Sequence, residues 1–313
     1  MPDVTAVHFD AALTNVSIAH ENAALVSPLI APEIAVRRQS NRYFVHDPER
    51  EAMRPSLDAR APGAEAREVG FDLSSDSYYC DDHALVAAIP DEERDNADAP
   101  LQPDVDRVEF LTAKILLNQE INLAALLRDP AIIPGTQVAT NDERWDDPDV
   151  DPLLLIEQAR SAIVDAVQAT PNTLVLPFAV YQKVRMSPAI AERTRFTRSG
   201  AFDARDLAAL FDVDRVLVAR AVKNTAAPGQ APSLEPIWGK DALLMHVPPR
   251  AGLKVIAPVL RFLWSDAAGS LRGTSVQSWR EERRKATLIR VQKYYDQKVV
   301  APGAAYLIRD VIQ

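Results

Sequence analysis

Residues 104–128, DVDRVEFLTAKILLNQEINLAALLR, run without a proline or glycine and carry apolar residues at helical spacing. At a rise of 1.5 Å per residue such a helix is a rod of roughly 37 Å, about the width of a domain, so the rest of the chain must pack along it. Pro100 and Pro103 precede it and Asp129-Pro130 closes it. Those are places where proline is tolerated around a helix but not inside one. Phe110, Ala113, Leu117, Ile121 and Ala124 recur every three or four residues and predict one buried face. Val108, Leu111 and Ile115 form a second stripe beside it. Ahead of the helix lie a hundred residues of little helical character, and behind it an orderly α/β pattern.

Several function classes drop out on composition. The chain has 313 residues, 47% of them apolar and 25% charged, enough for one large domain or two ordinary ones. No apolar run is long enough for a membrane helix, and the opening MPDVTAVHFDAALTNVSIAHEN lacks the basic start and apolar block of a secretory signal. A single cysteine, Cys80, excludes an intramolecular disulfide and a multi-cysteine zinc site, which makes an intracellular site of folding the default expectation. A net charge of −9 argues against a dedicated nucleic-acid binder, whose affinity rests on Lys and Arg neutralising phosphates. The stretches 91–98 and 142–151 are acidic and 280–309 is basic, a pattern that solvated surfaces commonly show.

Residues 1–42 read as an extended arm with a short helix or two. From Tyr43 to Pro90, β-prone ends at 43–45 and 77–80 flank a long charged middle punctuated by Arg60-Ala-Pro-Gly63. A polar loop of this length is uncommon inside a compact domain, and the segment is read as a projecting hairpin. After the long helix, Asp151-Pro152 supplies an N-cap and a first-turn proline for a second helix through Val167. A short buried strand at 172–177, helices at 178–186 and 203–211, and a strand at 213–218 follow. A soft Ala/Pro/Gly loop at 223–233 comes next, then strands at 242–247 and 259–264. Long strands are expected within 275–295, with Ile289, Val291 and Tyr295 on one face, and a last strand carries Tyr306, Ile308 and Ile312.

No constellation reads as an active site, so no catalytic, cofactor-binding or metal residue is expected. Cys80-Asp81-Asp82-His83 gathers ligand types, but neighbours on a strand point to opposite faces and no zinc spacing is completed. Asp147, Asp149 and Asp151 match the start of a calcium loop. Pro152 stands where that loop needs Gly and Gln158 where it needs Glu, so helix capping accounts better for Asp151. Gly200, Gly229 and Gly239 are isolated, no nucleophile elbow occurs, and no carboxylate pair sits in a setting that would raise a pKa. His8, His20, His46, His83 and His246 are dispersed, His246 fitting a satisfied interior histidine. Trp238 and Trp264 read as core or interface anchors.

The order of these signals carries a resemblance. The runs PNTLVLPFAVYQKVRMSPAIAERTRF, DLAALFDVDRVLVARAVKNTAAPGQ and IWGKDALLMHVPP within 171–249, the tract with RAPG and SYYCDDHALVAAIPDEERDNAD, and the ending VVAPGAAYLIRDVI are together similar to the major capsid proteins of tailed bacteriophages. The likeness spans nearly the whole chain and rests on order and spacing, since that family has no active-site signature.

The resemblance implies an α+β fold of the Hong Kong 97 type. Its parts would be an N-terminal arm (1–42), an extended hairpin loop (43–99), a spine helix and peripheral domain (100–149), an axial α/β domain (150–262), and return strands with a closing strand (263–313). It implies self-assembly into hexamers and pentamers of an icosahedral head that encloses double-stranded DNA without sequence-specific binding. It implies no cofactor and no membrane, and a location in the virion, assembled in the host cytoplasm. Partners would be a portal and a decoration protein. With only about 42 residues ahead of the loop, the scaffolding protein is expected to be separate. No motif places Lys and Asn for the isopeptide cross-link of one family branch. The rival of the same fold is an encapsulin-like compartment shell, whose resemblance implies an opening helix in place of an irregular arm. The rival of another class is a soluble α/β enzyme, with 142–151 and Cys80–His83 the places to look for its site.

Overall fold

The long helix is the member that both halves of the protein share. A computed structural model describes residues 8–45, 58–68, 74–140, 143–194, 203–268 and 272–313. In chain order, strand β1 (His8–Phe9) leads into helix α1 (Ala11–Ala19), one-turn helix α2 (Ser27–Ile30), and strands β2 (Glu33–Val36) and β3 (Ser40–Val45). Strands β4 (Ser74–Tyr79) and β5 (Asp81–Pro90) and helix α3 (Asp91–Asp95) precede the long helix α4 (Pro103–Leu127). Next come β6 (Gly135–Val138), α5 (Pro152–Val167), β7 (Thr173–Pro177), α6 (Phe178–Arg185), α7 (Pro188–Thr194), α8 (Ala204–Leu210) and β8 (Arg215–Ala219). The chain continues through β9 (Val222–Asn224), β10 (Leu234–Pro236), β11 (Ala242–Met245), β12 (Val259–Trp264) and α9 (Ser265–Ala268). It ends with β13 (Thr274–Glu281), β14 (Ala286–Val299) and β15 (Ala305–Arg309). The fold is α+β.

Strand β14, with 14 residues, organises the first sheet. Strands β13 and β12 pair end to end along one of its edges, from Thr274↔Lys293 and Leu263↔Tyr295 outward, while β5 runs antiparallel along the other. Strand β2 lies parallel to β12 and β1 pairs with β13, so two pieces of the first 42 residues are stitched into this sheet. The second sheet has the order β6-β15-β11-β7-β8, with β11 antiparallel to both neighbours and the two outer pairs parallel.

Both faces of the second sheet are covered, which is why its strands read as continuous apolar runs. Leu174, Leu176, Leu244 and Ile308 face the layer of α5, α6 and α8. Val175, Leu243, Met245 and Leu307 face Leu123, Ala124 and Leu127 of α4. The first half of α4 packs Val108, Leu111 and Ile115 on Ile89, Val276, Ile289 and Val291 of the first sheet. One helix therefore spans both cores.

The buried stripe of α4 departs from the expected one. Val108, Leu111, Ile115, Leu123, Ala124 and Leu127 are buried, whereas Phe110 is 53% exposed with the Lys114 ammonium 5.1 Å from its ring centroid. Two apolar stripes were available, and the sheet meets the one that continues through Gln119 and Glu120. That continuation is polar by residue type, so periodicity alone ranks it second.

The expected hairpin divides in two. Residues Ser40–Val45 and Ser74–Tyr79 pair as a two-stranded antiparallel ribbon, and Gly63 takes φ +81 in the turn at Arg60–Gly63. Asp81–Pro90, included in the extended loop by sequence, is a strand of the first sheet instead; Leu85, Ala87 and Ile89 alternate inward against the core. The rest of the hairpin reading, residues 46–57 and 69–73, lies outside the described residues. Asp142, at the start of the acidic stretch, lies outside them too. The soft loop at 223–233 is bracketed by a second small ribbon, β9 with β10, that the sequence did not suggest.

Candidate assembly surfaces

The structure scatters the ligand types of Cys80–His83 as strand geometry requires. Cys80 is fully buried, its Sγ 3.6 Å from the Phe262 carbonyl oxygen, and burial pushes its thiol pKa up to about 12. Asp81 and Asp82 are exposed, and Asp82 Oδ2 accepts from Gln292 Nε2 at 2.7 Å. The His83 ring stacks on Tyr295 with centroids 4.0 Å apart, and burial lowers its pKa. A thiol with so high a pKa stays protonated and unreactive at neutral pH. Native protein at pH 8 should therefore take up a thiol reagent at least ~100-fold more slowly than urea-unfolded protein, a protection consistent with burial and the raised pKa. Full labelling of the native chain within minutes would contradict this placement.

The Asp147–Asp151 run is a capping device. Asp149 N donates to Asp147 Oδ1 at 3.0 Å, and Asp151 Oδ1 accepts from Leu153 N at 3.0 Å at the start of α5. Among the described residues no group of three His, Cys, Asp or Glu side chains is placed to hold a metal ion. His246 is half-buried, its Nδ1 2.7 Å from the Thr170 carbonyl oxygen. Trp264 Nε1 donates to the Arg37 carbonyl oxygen at 3.0 Å, and its ring meets Tyr294 edge-on.

Sequence reasoning missed the polar centre of the molecule. Glu120, 0% exposed on α4, accepts from Trp238 Nε1 at 2.6 Å and Val26 N at 3.1 Å on one oxygen, and from Ser27 N at 2.7 Å on the other. It ties the N-terminal segment and the segment before β11 to the long helix. Nearby, Arg128 at the end of α4 pairs with Asp241 at 2.6 Å. Gly239 (φ +59) lets that guanidinium through, since a Cβ there would lie 2.4 Å from Arg128 Nη2. The available signal was Gln119-Glu120 falling on the stripe of Val108, Leu111 and Ile115.

What the fold offers to other molecules is surface. The β3–β4 ribbon rests one face on the body of the protein: Tyr78 stacks on Phe262 at 4.4 Å, Tyr43 leans on the same ring at 5.4 Å, and Val45 packs against the same cluster. Tyr79 N donates to Asp296 Oδ2 at 2.9 Å. Around these anchors Ser40, Asn41, Arg42 and Ser75–Ser77 are exposed, as is every residue of 58–68. The β9–β10 ribbon shows Leu234 and Val222, 64% and 46% exposed. Leu154 at 62% and Met186 at 78% add apolar side chains on the α5–α7 layer. An isolated two-stranded ribbon is marginal in water and gains order from a covering surface.

No protein-family model matches the chain. Among solved structures, a phage-related protein from Bordetella bronchiseptica RB50 superposes with a TM-score of 0.77 and 23% identity, covering 97% of both chains. The capsid structure of the cyanophage P-SCSP1u matches with a TM-score of 0.56 and 10% identity, over 89% of this chain and 86% of that one. The fold is that of phage capsid proteins. Two curated relatives agree in sequence. The major capsid protein of Burkholderia phage BcepMu is 24% identical over 308 residues, 96% of each chain, and that of Pseudomonas phage JBD67 is 28% identical over 242 residues, 76% of each. The chain thus resembles major capsid proteins in sequence over nearly its full length and in fold. The described residues include no helix long and apolar enough to cross a membrane.

Proposed function

We propose that this chain is a phage major capsid protein, a structural subunit whose copies assemble into hexamers and pentamers of an icosahedral head around double-stranded DNA. The observation that carries the reading is the 24% identity to the BcepMu major capsid protein over 96% of both chains. In this reading residues 1–42 are the N-terminal arm, 43–99 contain the extended loop, and α4 is the spine helix of a peripheral domain formed with β12, β13 and β14 of the first sheet. Residues 150–258, with β6 and β15 completing the second sheet, supply the axial domain, with the β9–β10 ribbon toward a symmetry axis. Strand β5 would fix the base of the extended loop to the first sheet, and the ribbon ahead of it would lie over a neighbouring copy.

The physical support is the distribution of order. Two cores share one helix, giving a stiff body, while the ribbons and exposed apolar side chains are surfaces that a lone subunit leaves wet. An acidic chain of net charge −9 would line a shell without gripping packaged DNA. Portal, decoration and scaffolding proteins would be its partners in the virion. The rival within the fold is a compartment shell with protein cargo; a virus-like particle from Pyrococcus furiosus shares the fold, with a TM-score of 0.52 and 11% identity.

Sedimentation and negative-stain microscopy of the purified protein test the proposal. Closed shells tens of nanometres across, or free hexamers and pentamers, are expected, with DNA inside particles recovered from infected cells. A monodisperse monomer or dimer under every assembly condition overturns it, and shells holding only protein favour the compartment.

A further inference from the structure

Between α1, the segment leading to β2, α4 and the first sheet lies a cavity of about 730 Å³. Its floor is cationic. Arg261 on β12 is 1% exposed and Lys293 on β14 is 12% exposed, and both line the space together with Arg272. Among the described residues the carboxylate in ion-pair reach of the two buried cations is Glu33 on β2, 3.1 Å from Arg261 Nη1 and 3.9 Å from Lys293 Nζ, while Glu21 lines the space opposite Arg272 in charge. The guanidinium has further partners, because the Gln297 amide oxygen, turned toward it, lies 3.1 Å from Nη2 and 3.3 Å from Nε. Lys293 is less well served, with the Gln119 Oε1 at 3.4 Å. Both amides are neutral, so two buried positive charges share one negative charge. An uncompensated buried charge is unfavourable unless an opposite charge or a proton transfer relieves it. Burial accordingly lowers the Lys293 pKa to about 8, with Glu33 opposing and Arg261 and Arg272 reinforcing the shift.

The upper wall differs. Ile18, Leu25, Pro28, Leu29, Ile115 and Leu116 make it largely apolar, interrupted by His20, Glu21 and Asn22, and Leu29 at the edge is 48% exposed. The space is several times larger than a bare oxyanion needs and falls in the range of ordinary ligand pockets. A basic floor below an apolar wall suits a carboxylate carried on an aliphatic stem.

We propose that this cavity is an acceptor for an acidic side chain of a second copy of this chain, with Lys293 as the principal contact for its carboxylate. The proposal rests on the self-assembly reading. The chain carries 44 Asp and Glu residues, among them the exposed Glu92 and Asp95, so a neighbouring copy can supply the group. Seating it would complete the charge balance that Glu33 leaves half-finished and would tie the neighbouring copy to β14 of the first sheet.

Two arms test this. In the first, glutarate and inorganic phosphate are titrated separately into unassembled subunit at constant ionic strength, with thermal unfolding as the readout. Glutarate should raise the melting temperature of the native sequence and of Lys293→Arg, and the rise should be lost in Lys293→Gln with its circular dichroism unchanged. In the second, Lys293→Gln subunits should need at least tenfold higher concentration to assemble. A response to phosphate but not glutarate, with normal assembly of Lys293→Gln, replaces the second copy by a free ion and overturns the proposal. No anion response at all, or an equal response in Lys293→Gln, overturns the site itself. The first arm needs no shell, so its failure is separable from failure of the assembly reading.

Discussion

Replacing Glu120 with alanine lowers the unfolding free energy of the unassembled subunit by about 3–5 kcal/mol, because each buried donor left without a partner costs roughly 1–3 kcal/mol and three are orphaned at once. Those donors are Trp238 Nε1 and the backbone N–H groups of Val26 and Ser27, and no water reaches a residue that is 0% exposed to replace the lost acceptor. Glu120→Gln keeps one oxygen but turns an amide N–H toward another donor, and should cost about half as much. Trp238→Phe removes one donor but leaves Glu120 its bonds from Val26 N and Ser27 N, and should be the mildest of the three apart from packing. The damage should also be local before it is global. Leu25, Val26, Ile30 and Ala31 pack against Leu123 and Leu127 only while the backbone at 26–27 is held by the carboxyl group. Hydrogen exchange in residues 25–31 should therefore accelerate in Glu120→Ala more than exchange in β7 or β11. Denaturant unfolding within 1 kcal/mol of the native sequence would show that the segment is held by its apolar contacts alone.

That centre explains why part of the molecule was legible in the sequence and part was not. Strand β12 at Val259–Trp264, the capped helix after Asp151 and the face of Ile289, Val291 and Tyr295 follow from local rules: period, caps and β-branched runs. The choice between the two stripes of α4 does not, because it depends on which residues of β5, β13 and β14 come to meet the helix. Nothing in the sequence marks Arg261 and Lys293 as a pair, and only the topology that lays β2 beside β12 brings Glu33 to them. Strand β5 was hidden for the opposite reason. Its apolar alternation is plain, but the charged tract before it suggested one continuous loop. Capsid function left no motif to find, since its working parts are surfaces whose partners are other copies.

The second large effect concerns the ribbon. Deleting residues 58–68 should abolish closed particles while leaving the subunit folded, with a melting temperature within about 2 °C of the native chain, since exposed positions away from special contacts contribute little to stability. Every residue removed is exposed, so no core contact leaves with them. The anchors stay: Tyr43 and Tyr78 on Phe262, and Tyr79 N on Asp296, all lie in the paired strands and outside the deleted residues. What goes is length, and therefore the area the ribbon could lay over a neighbour. Phe262→Ala makes the informative contrast. It empties the space between the two tyrosines and should cost about 3–5 kcal/mol of subunit stability, as large aromatic-to-alanine changes in cores do. The deletion thus tests reach without touching the anchor, and the core substitution tests the anchor without shortening the reach. Normal particles from the deleted chain would mean that the ribbon covers nothing in the shell. Unfolded subunits would instead mean that 58–68 holds its own body together. The exposure of all its residues argues against the latter, which leaves inter-subunit contact as the role that can account for so long an excursion from the two sheets.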